Sequence, residues 1–154
     1  MAGIKFSIDG VAVLSRSLRN LALDIKNTKP ALEKAATRII EHSTDMFDSG
    51  GRKIEKFPKW KPLKASTVRD KQKKGFGNKP IMVRTGKLRS EFKKNVTPTL
   101  LTVQKPTKYA IYHQRGNKKL PKRAVLELDN ATIALIVKDL QKSVTDKIKS
   151  AKLN

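Results

Sequence analysis

The chain has 154 residues, a length that suits one domain with a packed core, and 35 lysines and arginines against 13 aspartates and glutamates give it a net charge of +22. Such a charge predicts attraction to polyanions or acidic protein faces and repulsion between copies at low salt. With no cysteine and only two histidines, His42 and His113, the composition excludes disulfides, thiolate metal sites, a cysteine nucleophile and a histidine-rich metal centre, while the longest apolar runs, such as that from Ala131 to Val137, fall far short of the roughly 20 residues of a membrane span.

Ile4, Phe6 and Ile8 alternate with Lys5 and Ser7, which predicts a short N-terminal strand closed by Asp9-Gly10. The same residues lack an apolar signal-peptide core, so the protein is expected to be made and used inside a cell. Val13, Leu14, Leu18, Leu21 and Ile25 form the stripe of a first helix ending near Asn27. Thr28 as N-cap and Pro30 in the first turn predict a second helix, whose stripe of Leu32, Ala35, Ala36, Ile39, Ile40, Ser43, Met46 and Phe47 runs to Ser49-Gly50-Gly51. Residues 50–63 read as an ordered loop with Phe57 and Trp60 as anchors, and residues 66–74 as a short helix broken by Gly75, Gly77 and Pro80. The basic segment 71–80, with Lys71, Lys73, Lys74 and Lys79, is expected to be a mobile loop, since it holds little apolar surface.

Phe92, Lys94 and Val96 alternate, Thr97-Pro98-Thr99 can turn, and Leu101 and Val103 alternate again, predicting a basic hairpin over residues 92–105. Residues 109–114 form a short apolar and aromatic segment closed by Arg115-Gly116-Asn117, and residues 120–128 are expected to return as a strand after Pro121. Asp129 then caps a last helix with the stripe Ile133, Ile136, Val137, Leu140, Val144 and Ile148, fraying after Lys149. The expected architecture is one α+β domain over residues 1–154: an N-terminal strand and two helices, a small antiparallel sheet with a basic hairpin, and a C-terminal helix.

Charge follows the same division. Residues 1–51 hold 7 basic and 6 acidic side chains, residues 52–126 hold 23 and 3, and residues 127–154 hold 5 and 4. No acid occurs between Glu91 and Glu127. A charge of +22 also exceeds the magnitude of about 2–8 that solubility asks of a small domain, so the basic zone points to a polyanionic or acidic partner.

Catalytic constellations fail on residue type or spacing. Thr85-Gly86-Lys87-Leu88 holds the Gly-Lys pair of a phosphate loop, but Ile81 stands in place of the first glycine and Leu88 in place of the magnesium-binding hydroxyl. His42, Asp45 and Asp48 share a helix, yet their spacing turns Asp48 away and leaves too few ligands for a metal. His113 has no carboxylate within 13 residues on either side to orient it as a base and is expected to be a buried, backbone-bonded histidine. A nuclease would need clustered carboxylates, and the basic zone holds only Glu55, Asp70 and Glu91. Trp60, Phe76, Tyr109 and Tyr112 lie among the cations but match no RNA-binding motif, and they read as core and loop anchors.

Several segments in order do resemble a known family. Trp60-Lys61-Pro62-Leu63, Ser66-Thr67, Ile81-Met82-Val83-Arg84-Thr85-Gly86-Lys87-Leu88-Arg89, Tyr109-Ala110-Ile111-Tyr112-His113-Gln114-Arg115-Gly116 and Leu120-Pro121-Lys122-Arg123 are similar, over about residues 30–128, to the phage virion morphogenesis family, which includes tail completion proteins of Mu-like phages. Ala124 and Val125 depart from it, since members commonly carry Pro and Phe there. The resemblance implies a structural virion protein without catalysis or cofactor. It would act at the neck or tail end, completing the tail or joining head and tail as one subunit of a hexameric ring. Its implied partners are the tail tube or terminator, the head-tail connector, further copies of itself and phage DNA, with no membrane; the implied location is the virion, assembled in the host bacterial cytoplasm. On this reading Arg84, Lys87, Arg89, Arg115, Lys118, Lys119, Lys122 and Arg123 face partners or DNA, and Trp60, Leu63, Gly86, Tyr109, His113 and Gly116 hold the scaffold. The alternative that charge alone supports is a stand-alone DNA- or RNA-binding protein.

Overall fold

The computed structural model describes residues 28–51 and 59–152, so the predicted N-terminal strand, the predicted first helix and Phe57 lie outside the described residues. Helix α1 (Lys29–Ser49) follows its periodicity: Ala31, Leu32, Ala35, Ala36, Ile39, Met46 and Phe47 are buried on one side. Pro30 occupies the first turn, where its missing N–H has no intrahelical partner to lose. At the other end Gly50 takes a left-handed φ of 64°, and the Gly51 N–H returns to the Met46 carbonyl at 2.8 Å. The expected Thr28 cap is corrected. Its side chain makes no capping bond, because its hydroxyl donates to the Pro98 carbonyl in the turn of the hairpin beside it.

The remaining elements are α2 (Ala65–Lys73), α3 (Lys87–Ser90), β1 (Lys93–Val96), β2 (Leu101–Gln104), α4 (Ala110–Arg115) and α5 (Asn130–Lys152). The class is α+β, with one two-stranded antiparallel sheet among the described residues. Lys93 pairs with Gln104, Lys94 with Val103, Asn95 with Thr102 and Val96 with Leu101, which confirms the expected hairpin. Val103 is buried against α1, whereas Lys93, Lys94 and Asn95 of β1 are all exposed.

Two apolar clusters meet along α1. Its first half packs with Val103, Leu126, Ile136 and Leu140, and its last turn, through Met46 and Phe47, packs with Trp60, Val83, Leu88, Ala110 and Val125. Each large side chain so buried stabilises the fold by about 1.5–3 kcal/mol. Helix α5 lies along α1, where Asp139 accepts from Arg38 at 2.6 Å and pairs with Lys34 at 3.3 Å, and where the Thr132 hydroxyl meets His42 Nδ1 at 3.1 Å. As expected, Asp129 caps α5: its carboxylate accepts from the Thr132 N–H at 2.7 Å. The helix continues to Lys152, past the expected end at Lys149.

The strand expected at residues 120–128 is absent. Side chains satisfy the backbone that a neighbouring strand would have paired. Gln114 Oε1 accepts from the Val125 and Leu126 N–H groups at 2.8 and 3.0 Å, Gln114 Nε2 donates to the Leu126 carbonyl at 3.2 Å, and the Ser43 hydroxyl donates to the Val125 carbonyl at 2.6 Å. Val125 and Leu126 can therefore be buried without a sheet partner.

Candidate interaction face

The Tyr109 to Arg123 segment is organised by Ala110. Its methyl is fully buried in the second cluster, and this fixes α4 with Tyr109 and Tyr112 outward, 44% and 58% exposed. Tyr109 is thus not the buried anchor that the sequence suggested. It stands one residue before the core position, and its ring meets His113 edge-on at 6.3 Å. Arg115, one turn after Tyr112, is exposed beside it.

After α4 the chain turns on Gly116, whose φ is 70° and whose N–H donates to the Tyr112 carbonyl at 2.8 Å. A Cβ here would lie 2.6 Å from the Lys122 backbone nitrogen, so the close approach of two main chains requires glycine. Asn117 then closes the loop from both sides: its N–H donates to the Leu120 carbonyl at 2.7 Å, and its Oδ1 accepts from the Lys119 and Leu120 N–H groups at 2.9 and 2.8 Å. Lys118 and Lys119 are held exposed at its tip. Neither they nor Arg115 form an ion pair among the described residues.

The other predicted partner-facing cations are engaged within the molecule. Arg84 pairs with Asp70 at 3.0 Å and stacks on Phe76 at 5.5 Å, Lys87 pairs with Glu91 at 3.7 Å, and Lys122 pairs with Glu127 at 3.1 Å. Arg89 makes a two-pronged bond to Asp48 at 2.8 and 2.7 Å, which holds that carboxyl below its ordinary range. Arg123 is corrected outright. It is 4% exposed, and its guanidinium donates to the carbonyls of Lys61 and Pro62 at 2.9 and 3.3 Å, so it ties the loop after Trp60 to the core.

The segment 71–80 is tied to the fold by side chains, and its first residues lie in the helix expected over 66–74. Lys71 and Lys73 belong to α2, and Lys71 is buried, its ammonium donating to the Lys79 and Pro80 carbonyls at 2.7 and 2.9 Å. Lys74 pairs with Asp70 at 2.7 Å, and Lys79 lies 5.6 Å from the Phe76 ring. Among the scaffold residues, Trp60 is buried with its ring edge-on to Phe47 at 5.3 Å, Leu63 is half-buried, and Gly86 precedes α3 at a φ of 87°. The His113 carbonyl accepts from the Arg123 N–H at 2.7 Å, while its ring Nδ1 is buried without a partner among the described residues, so the expected ring-to-backbone bond is not made there. Burial, and then the charge of Arg123, lower its pKa below the ordinary histidine value and so favour the neutral ring.

Two features escaped the sequence reading. Tyr112, an expected anchor, is the most exposed large apolar side chain described. Lys105 is 2% exposed, 3.2 Å from the centroid of the Phe92 ring and 5.3 Å from that of Phe47, with its ammonium donating to the Arg89 carbonyl at 3.0 Å. Burial pushes that ammonium down to about 7, against the pull of Glu91. The parity of the hairpin carried the signal, since Lys105 follows Leu101 and Val103 on the inward side.

Among the described residues no group of three or more His, Asp or Glu could hold a metal. The face displays exposed tyrosines and an arginine, residue types that carry interface energy, beside exposed lysines. Compared with known proteins, the chain is matched over residues 11–145 by the model of the phage virion morphogenesis family. No curated protein and no solved structure matches it.

Proposed function

The chain belongs to the phage virion morphogenesis family, and from that premise we propose that it is a ring-forming subunit of the neck or tail end of a phage particle, where it completes the tail or joins it to the head beside the DNA. The structural, morphogenetic role in a phage virion comes with the family. The finer reading rests on the face from Tyr109 to Lys119, where aromatic and cationic side chains project from a scaffold locked by Ala110, Gly116 and Asn117. A rotationally symmetric junction asks for a subunit that repeats around an axis, and a hexameric ring satisfies it. Its partners on this reading are the tail tube or terminator, the head-tail connector and neighbouring copies.

The deciding observation is the match of the family over residues 11–145, and the deciding experiment is complementation. Phage lacking the gene should accumulate separate heads and tails in electron micrographs, and supply of the wild-type chain should restore joined particles. The net charge of +22 favours a second reading, free binding to duplex nucleic acid. Normal particle joining without the protein, together with tight salt-sensitive duplex binding, would establish that reading instead.

A further inference from the structure

The surface of α1 turned away from the core carries a chemistry opposite to that of the basic face. Glu33, Thr37 and Glu41 are exposed along one line, at successive four-residue steps. Glu33 and Glu41 form no ion pair among the described residues. Lys34 and Arg38, which share their turns, are both drawn to Asp139 on α5. The two faces lie on opposite sides of α1: Ala110 of α4 packs with Met46 and Phe47 on the buried side, whereas Glu33 and Glu41 belong to the solvent side.

Resting on the ring reading above, we infer that the face of Tyr109, Tyr112, Arg115, Lys118 and Lys119 docks on the Glu33 to Glu41 line of a second copy of this chain. The occupant follows from charge. A chain of +22 repels its copies except where an acidic strip is presented, and α1 presents one that forms no ion pair among the described residues. The contact joins unlike patches on opposite sides of the molecule, so each subunit donates one face and receives on the other, the arrangement that closes into a ring when its rotation permits. Tyrosine and arginine at the centre supply contact area and directed bonds, and Lys118 and Lys119 steer the approach.

Two doubly reversed variants of the full chain test this: Glu33→Arg with Glu41→Arg, and Arg115→Glu with Lys119→Glu. All four side chains are solvent-exposed and form no ion pair among the described residues, and circular dichroism confirms the fold of each variant. In sedimentation at low salt, each variant alone should self-associate more weakly than wild type by roughly tenfold or more. Mixed, the two should associate again, because the intact basic face of the first meets the intact acidic line of the second and the two reversed patches are themselves opposite in charge. A wild type that stays monomeric at every concentration, or variants that associate as wild type does, would overturn the contact. So would a loss of duplex DNA binding in the Arg115→Glu, Lys119→Glu variant with self-association intact, which would assign the face to DNA. Complementation separates the two levels: if reversal at Glu33 and Glu41 leaves particle joining intact while gene deletion abolishes it, this contact fails and the virion role stands.

Discussion

The Arg123 guanidinium reaches the carbonyl of Lys61 twice, through Nε at 3.1 Å and through Nη2 at 2.9 Å, across 62 residues of chain. Arg115, eight residues earlier, faces solvent. Arg123→Ala should therefore lower stability by about 1–3 kcal/mol, since two carbonyls lose a charged donor, and Arg123→Glu should lower it further. Arg115→Glu should leave thermal unfolding within a few tenths of a kcal/mol of wild type. Differential scanning calorimetry of the three variants gives the order.

Lys105 makes stability depend on pH above neutrality. In the unfolded chain its amine holds a proton up to about its ordinary 10.5, and in the fold only up to about 7. Between those values the unfolded state binds more protons, so stability should rise as pH rises from about 7; below that the amine is protonated in both states, the cost of burying it is fully present, and the group adds no pH dependence. Lys105→Met should flatten that rise. Urea midpoints measured from neutral to mildly alkaline pH, before the surface lysines titrate, test the difference.

Two glycines separate backbone strain from collision. At Gly86, with a φ of 87° and open space where a Cβ would stand, alanine should cost about 1–2 kcal/mol. At Gly116 the same strain adds to a contact of 2.6 Å with the Lys122 backbone, so Gly116→Ala should cost more and displace the Lys118 and Lys119 loop. Chemical denaturation ranks the two, and loop amide shifts in NMR report the displacement.

The two bonds from Lys71 to the carbonyls of Lys79 and Pro80 brace the turn that contains Gly75 and Gly77. Lys71→Met should remove the brace and increase the rate of tryptic cleavage after Lys74, with little change at sites in α1. A time course of limited digestion followed by mass spectrometry measures both.

Local patterning made α1, the hairpin and α5 legible, because each buries one face at the period of its own geometry. It also marked the cap at Asp129. It failed where a distant group changed the local outcome. Thr28 has the chemistry of a cap, but the hairpin turn at Pro98, 70 residues away, claims its hydroxyl. Residues 120–128 have the composition of a strand, but the Gln114 amide and the Ser43 hydroxyl satisfy Val125 and Leu126 before a strand could. The basic run likewise did not separate Arg123 from Arg115. One meets two carbonyls of the Trp60 loop and the other meets water, and nothing local encodes that difference.

Strand β1 displays Lys93 and Lys94 in succession, so its two sides each carry an ammonium. A subunit collected at high local concentration during particle assembly is exposed to a hazard that dilute proteins escape, namely stray hydrogen bonding of bare strand margins into fibrils. Any chain laying a strand against β1 would have to strip water from both ammonium groups or accept like charge from an identical neighbour. The two ammonium groups thereby disfavour pairing of a foreign strand with β1, so that crowding does not become templating.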